Sequence, residues 1–291
     1  IESLDTGHLN LNASEAFTRR TAVCAGRLYP DRHGVQAFMA YLSDEDPLVP
    51  DNSFLRICTL DYEDPDGLLL SRDDQRSSVS APQSGWTAGR YLDCAAGDLD
   101  GDGRDEVIAV CRAPDFRNSF DTYPRIIAFH MDDTSGDLRA AAEPFLAPTT
   151  SEDSYFLPLK QYQNLAVAAG DLDNDGIDEI ILGAETGDDG QISVLAWKVL
   201  TFEGDPVRQL EIQLLGKLDV AFPAGYPGFY GSLDLACGDF DNDGNEEIVL
   251  TTGYSRLNVY GLSGGRFQHL AAFPGPGRYA RFNDVRLAVA D

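Results

Sequence analysis

The sequence predicts an all-β fold made of four-stranded antiparallel units repeated along the chain, and three observations predict it. Short β-rich runs bounded by Gly, Pro, Asp and Asn recur through the 291 residues. Three segments, AAGDLDGDGRDEVIAV, AAGDLDNDGIDEIILG and ACGDFDNDGNEEIVLT, align without gaps; their first aspartates, Asp98, Asp171 and Asp239, stand 73 and 68 residues apart. Each acidic stretch then runs directly into a β-branched segment, which favours strand.

In chain order, the first unit carries CAGRLYPDRHGVQAFMA, which fits the template with Arg27 where the aspartate would stand, 71 residues before Asp98. In the second, LDCAAGD leads into the acidic loop, and RIIAFHM and LRAAAEPFLA follow. The third has NLAVAAGD, then QISVLAWKVL and RQLEIQLLGKL, and the fourth has SLDLACGD, then RLNVYGL and RFQHLAAF. Each unit therefore counts four strands, and repeated four-stranded antiparallel units indicate the blades of a β-propeller. The small Ala, Gly and Cys residues before the loop suit an innermost strand, where blades crowd the axis. The expected blades cover about 21–83, 91–150, 164–220 and 232–275, and RLAVAD opens a fifth at about 284–291. The whole of 1–291 thus reads as a single propeller segment. The period excludes a nonapeptide β-helix and exceeds the roughly 40–50 residues of WD40 and kelch blades.

The charge narrows the partners. Twenty-two basic against 48 acidic residues give −26. That sign disfavours nucleic acid and anionic membrane surfaces, which need Lys and Arg to displace counterions, and suits bound cations. No apolar run approaches the roughly 18 residues of a membrane helix, so direct insertion is not expected. The chain begins Ile-Glu-Ser, without an initiator Met or a signal-peptide pattern, and is expected to be a piece of a longer chain or assembly. The five cysteines, Cys24, Cys58, Cys94, Cys111 and Cys237, lack zinc spacing and read as small strand residues. A Cys94–Cys111 bridge across a hairpin is the second reading.

Counted from its first Asp, each acidic loop has carboxylates at positions 1, 3, 5 and 9, glycine at 6, and at 7 a residue able to offer its backbone carbonyl. The expected metal sets are Asp98, Asp100, Asp102, Arg104 and Glu106; Asp171, Asp173, Asp175, Ile177 and Glu179; and Asp239, Asp241, Asp243, Asn245 and Glu247. Several hard oxygens with a formal charge near −4 describe Ca²⁺ better than a transition metal, and Mg²⁺ resists giving up its waters. An EF-hand shares Asp-x-Asp-x-Asp-Gly but needs a Glu at position 12, where this chain has Ala109, Leu182 and Leu250, and a helix afterwards. Acidic surface turns without an ion are the plainer alternative, and three ungapped copies speak against them. Three ions would add +6 and leave the chain strongly acidic. The first unit has Arg27, Tyr29, Asp31 and Val35 at positions 1, 3, 5 and 9, so no metal is expected there.

These residues resemble the FG-GAP/VCBS repeats of integrin α-subunit propellers and of many bacterial and fungal surface proteins and lectins. Tyr230-Gly231 resembles the FG element, Gly183-Ala184-Glu185 the GAP element, and the three acidic sets the metal cage. The resemblance covers the chain from about residue 21 and implies a propeller, commonly of seven blades, with calcium in loops on one face. Five starts do not make seven blades, and units of this length are long for the family.

Segments leading into the inner strands would lie on the face opposite the calcium loops. They gather Trp86, Tyr91, Tyr155, Phe156, Tyr226, Phe229 and Tyr279, with Arg90, Lys160 and Arg278. Such aromatics suit a sugar or protein partner, or pack between blades. Tyr162, Tyr230 and Phe282, each nine residues before an Asp, read as blade packing. The four histidines share no repeat position, and no nucleophile elbow, zinc-protease or phosphate-loop motif occurs. The expected function is an extracellular calcium-stabilised propeller acting as a binding or adhesion module for a glycan or an extracellular protein. The alternative is the propeller portion of a secreted polysaccharide-acting enzyme or a toxin assembly. The expected location is secreted or cell-surface, with the periplasm as an alternative; the sequon Asn12-Ala13-Ser14 permits glycosylation.

Overall fold

Alternation of side chains along a strand lets one sheet bury both of its faces, and the second acidic segment shows it. In Ile180-Ile181-Leu182-Gly183-Ala184, Ile180, Leu182 and Ala184 pack toward the preceding sheet, with Ile108, Val110 and Ile126. Ile181 faces the other way, among Leu233, Leu235 and Ile248 of the following sheet. A strand covered on both faces has no polar side, which is why the run is continuously apolar.

The computed structural model describes residues 21–27, 36–44, 53–61, 70–71, 79–80, 92–115, 118–131, 138–140, 145–146, 165–186, 191–202, 210–220, 233–252, 256–274 and 287. Every regular element among them is a β-strand. Sheet 1 holds β1 (Thr21–Gly26), β2 (Gln36–Asp44) and β3 (Ser53–Asp61), with β4 (Leu70–Ser71) and β5 (Val79–Ser80) both pairing β3. Sheet 2 holds β6 (Leu92–Gly97), β7 (Glu106–Asp115) and β8 (Asn118–Met131), with β9 (Leu138–Ala140) and β10 (Phe145–Leu146) both pairing β8. Sheet 3 runs β11 (Leu165–Gly170), β12 (Glu179–Thr186), β13 (Gln191–Phe202), β14 (Leu210–Val220). Sheet 4 runs β15 (Asp234–Gly238), β16 (Glu247–Thr252), β17 (Arg256–Ser263), β18 (Arg266–Pro274).

All pairings are antiparallel, and strand order follows chain order in sheets 3 and 4. In sheets 1 and 2 two short strands instead pair with the third strand. Of the predicted strand LRAAAEPFLA, the described residues are β9 and β10. First strands β1, β6, β11 and β15 lie side by side in that order.

Close approach of these strands dictates their glycines. A Cβ on Gly97 would sit 2.5 Å from Ala169 Cβ, and one on Gly26 would sit 2.6 Å from Ala96 Cβ. Gly170 meets Cys237 in the same way. Leu99 and Leu172, at position 2 of their loops, are fully covered by the sheet that follows, whereas Phe240 in the last described sheet is 49% exposed.

One cysteine reading is corrected. Cys94 pairs with Ala109 and Cys111 with Leu92, so the two cysteines are diagonal neighbours. Diagonal positions lie about 7–8 Å apart, beyond the usual span of a disulfide. Cys94 forms no disulfide, and it is buried in a sheet as a small side chain.

Candidate metal centre

The acidic loops join the first and second strands of sheets 2, 3 and 4. Position 4 has positive φ in all three: Gly101 at 76°, Asn174 at 57° and Asn242 at 59°. Position 6 does too, in Gly103, Gly176 and Gly244. Gly and Asn enter this region at low cost, so the Gly/Asn-x-Gly pattern folds the loop back on its first aspartate.

Carboxylates then take up the turned amides. The first aspartate receives the position-6 amide on Oδ2, at 2.9 Å in Asp98 and Asp171 and 3.1 Å in Asp239. Its Oδ1 receives the position-5 amide in all three loops, and in the Asp98 loop also that of Gly101 at 2.7 Å. The position-5 aspartates Asp102, Asp175 and Asp243 accept the amides of Arg104, Ile177 and Asn245. The position-9 glutamates reach back under the loop: Glu106, Glu179 and Glu247 accept the amides of Leu99, Leu172 and Phe240 at 2.8–2.9 Å. Each loop is thereby held by its own acids, with further oxygens left to face inward.

Those oxygens converge. Ligand atoms of Asp98, Asp100 and Glu106 lie within 4.8 Å of one another, as do those of Asp171, Asp173 and Glu179, and those of Asp239, Asp241 and Asp243. The remaining expected carboxylates stand outside these groups. Asp102 faces the Arg104 guanidinium at 3.6 Å, Asp175 pairs with Lys198, and Glu247 bonds the Phe240 amide. Arg104, Ile177 and Asn245 contribute their amides to the loop.

Crowding and burial disturb these acids. Burial, reinforced by Asp100, pushes Glu106 up to about 9. Burial, with Asp173 and Asp171 adding to it, pushes Glu179 up to about 8, and burial also raises Glu247 and Asp100. Asp243, fully exposed and hydrogen-bonded by Asn245, is lowered instead. Glu179 is completely buried, and its Oε1 has no hydrogen-bond partner. A buried carboxylate oxygen left unmatched is costly unless a cation meets it. The oxygen-only set around it fits a hard divalent ion.

Position 8 escaped the sequence reading. Asp105, Asp178 and Glu246, each next to the position-9 glutamate, reach the preceding sheet. The amide of Asp105 donates to the Arg27 carbonyl at 3.1 Å, that of Asp178 to Asp98 at 2.8 Å, and that of Glu246 to Asp171 at 2.9 Å. In return, Asp105 and Asp178 accept the amides of Arg27 and Asp98 on Oδ2 at 2.7 and 2.8 Å. Arg27 thus joins the second sheet through its backbone. The Asp/Glu-Glu dipeptide at positions 8 and 9 was the available signal: one acid serves the neighbouring sheet, the other its own loop. Asp93 makes a second inter-sheet link, accepting the amide of Val167 at 2.9 Å, and Asp234 likewise accepts the amide of Leu287 at 2.5 Å, which holds the same repeat position as Val167.

The other expectations lie outside the described residues. These are Trp86, Tyr91, Tyr155, Phe156, Tyr226, Phe229 and Tyr279 with Arg90, Lys160 and Arg278; Tyr162, Tyr230 and Phe282; and Tyr29, Asp31 and Val35 of the first loop.

Antiparallel sheets packed in series, each with an acidic hairpin between its first two strands, define an all-β repeat protein. The family model of the FG-GAP repeat matches residues 164–195, which take in β11, the acidic loop, β12 and the start of β13. Within that stretch, Gly183 leaves room for Leu235 of the next sheet, whose Cδ1 would lie 3.0 Å from an added Cβ. No curated protein matches the chain. Among the described residues no helix is long and apolar enough to cross a membrane.

Proposed function

We propose that this chain is part of an extracellular β-propeller whose blades are clamped by calcium and which binds a glycan or a protein partner. One observation carries the calcium reading: the buried, unmatched Oε1 of Glu179, set among the converging carboxylates of Asp171 and Asp173. Equivalent acids, Asp98, Asp100 and Glu106 and then Asp239, Asp241 and Glu247, would hold ions in the neighbouring hairpins, with Asp102, Asp175 and Asp243 completing the sets. A bound ion would neutralise carboxylates that otherwise repel one another and fix the first two strands of each blade. Support for binding over catalysis comes from the FG-GAP match, because such repeats occur in adhesion and binding modules. Calcium sites of extracellular modules work at dissociation constants of about 10⁻⁴–10⁻³ M, in keeping with a location outside the cell.

A calcium-titrated melt tests the clamp. An ion bound only to the folded chain stabilises it by about 2.7 kcal/mol per site at a hundredfold excess over its dissociation constant. An unchanged melting temperature between chelator and millimolar Ca²⁺ sinks the clamp. Retention of the protein on a glycan array without product formation supports a binding module, and the appearance of new reducing or unsaturated ends overturns it.

A further inference from the structure

The three acidic loops differ in one neighbour that lies far from them in sequence. Trp197 on β13 pairs with Ile180, the residue after Glu179, so Lys198 comes level with the foot of the 171–179 loop. Its ammonium lies 3.4 Å from Asp173 Oδ2 and pairs directly with Asp175. By the same register, Phe129 opposite Val107 puts His130 in this place beside the 98–106 loop. Tyr260 opposite Ile248 puts Gly261 beside the 239–247 loop. A Cβ on Gly261 would lie 3.9 Å from Glu247 Cγ, so this position faces the cage. The strand register shifts immediately before Trp197 and again before Tyr260. A break of this kind re-aims the side chains that follow it.

Building on the calcium reading above, we propose that the residue in this place grades the three sites. Lys198 is a built-in cation that calcium must displace from Asp173 and Asp175, and Gly261 leaves its loop without one. Lys198 neutralises the outer acids but leaves Glu179 Oε1 without a partner, so it substitutes for a divalent ion only in part. The 171–179 loop keeps its shape in chelator and binds calcium more weakly than the 239–247 loop, which has no such substitute among the described residues.

Calcium titration of the isotope-labelled chain followed by NMR separates the sites. Gly103, Gly176 and Gly244 each donate an amide to the first aspartate of their own loop and report it individually. In Lys198→Met, which keeps length and loses charge, the Gly176 midpoint falls about tenfold, equivalent to ~1.4 kcal/mol, while Gly103 and Gly244 hold theirs. Should that variant fail to fold, Gly261→Lys carries the test. The nearest atom to the new Cβ is the movable Cδ1 of Leu270 at 3.2 Å, and the Gly244 midpoint should rise by a similar factor. If calcium moves all three glycines but neither variant changes its own site, the grading is wrong and the calcium sites stand. If calcium moves none of them, both readings fall.

Discussion

At the residue scale, two glycines of one repeat are required for different physical reasons. Gly176 has open space around it, and its constraint is a φ of 84°. Gly170 has ordinary backbone, but a side chain there would enter Cys237 and the Glu246 carboxylate. Gly176→Ala should therefore cost about 1–2 kcal/mol through left-handed strain. Gly170→Ala should cost about 1–3 kcal/mol through overpacking and force strands β11 and β15 apart. Urea unfolding measures both. Hydrogen exchange distinguishes them, because only Gly170→Ala should loosen the Glu246 amide, which bonds across to Asp171. Equal exchange at that amide in both variants would contradict the packing account.

At the scale of the element, an acidic hairpin behaves as a proton trap when it lacks a cation. Glu106 and Glu179 hold their protons up to about 9 and about 8 in the folded chain, against an ordinary value of 4.5. Between the ordinary and raised values the folded chain binds more protons than the unfolded one. Stability in chelator must then fall as pH rises through that window. Calcium needs the deprotonated acids, so its affinity rises over the same interval and its binding releases protons. Melts at pH 5.5 and pH 8 should show the gain from calcium growing with pH. A gain independent of pH would argue against the buried glutamates as ligands.

At the scale of the whole molecule, two devices tie successive sheets: interlocked apolar faces between sheets 2 and 3 and between sheets 3 and 4, and carboxylates that accept amides across the seams between sheets 1 and 2 and between sheets 2 and 3. Asp178 belongs to the second and stands outside its own cage. Replacing it with Ala leaves the Asp98 amide unmatched, at a cost of about 1–3 kcal/mol. The Asp98 amide should exchange faster while Gly176 still responds to calcium. Loss of the calcium response in Asp178→Ala would mean that seam and cage are one unit. Burial raises Asp178 itself to about 6, so between its ordinary value and 6 the folded chain binds this proton more tightly and its contribution to stability falls as pH rises.

The strands and acidic hairpins were legible in the sequence because they rest on local rules: short β-branched runs bounded by turn residues, Gly or Asn where φ is positive, and carboxylates at fixed spacing in one loop. Those rules also fixed which acids share a hairpin, since a loop of nine residues can close only on itself. Contacts between strands distant in sequence followed no local pattern. The register set Lys198 against Asp173 and Asp175 and put Cys111 out of line with Cys94. Only the packing of successive sheets decided that one acid of each Asp/Glu-Glu pair crosses to its neighbour, because that choice depends on where the preceding backbone lies.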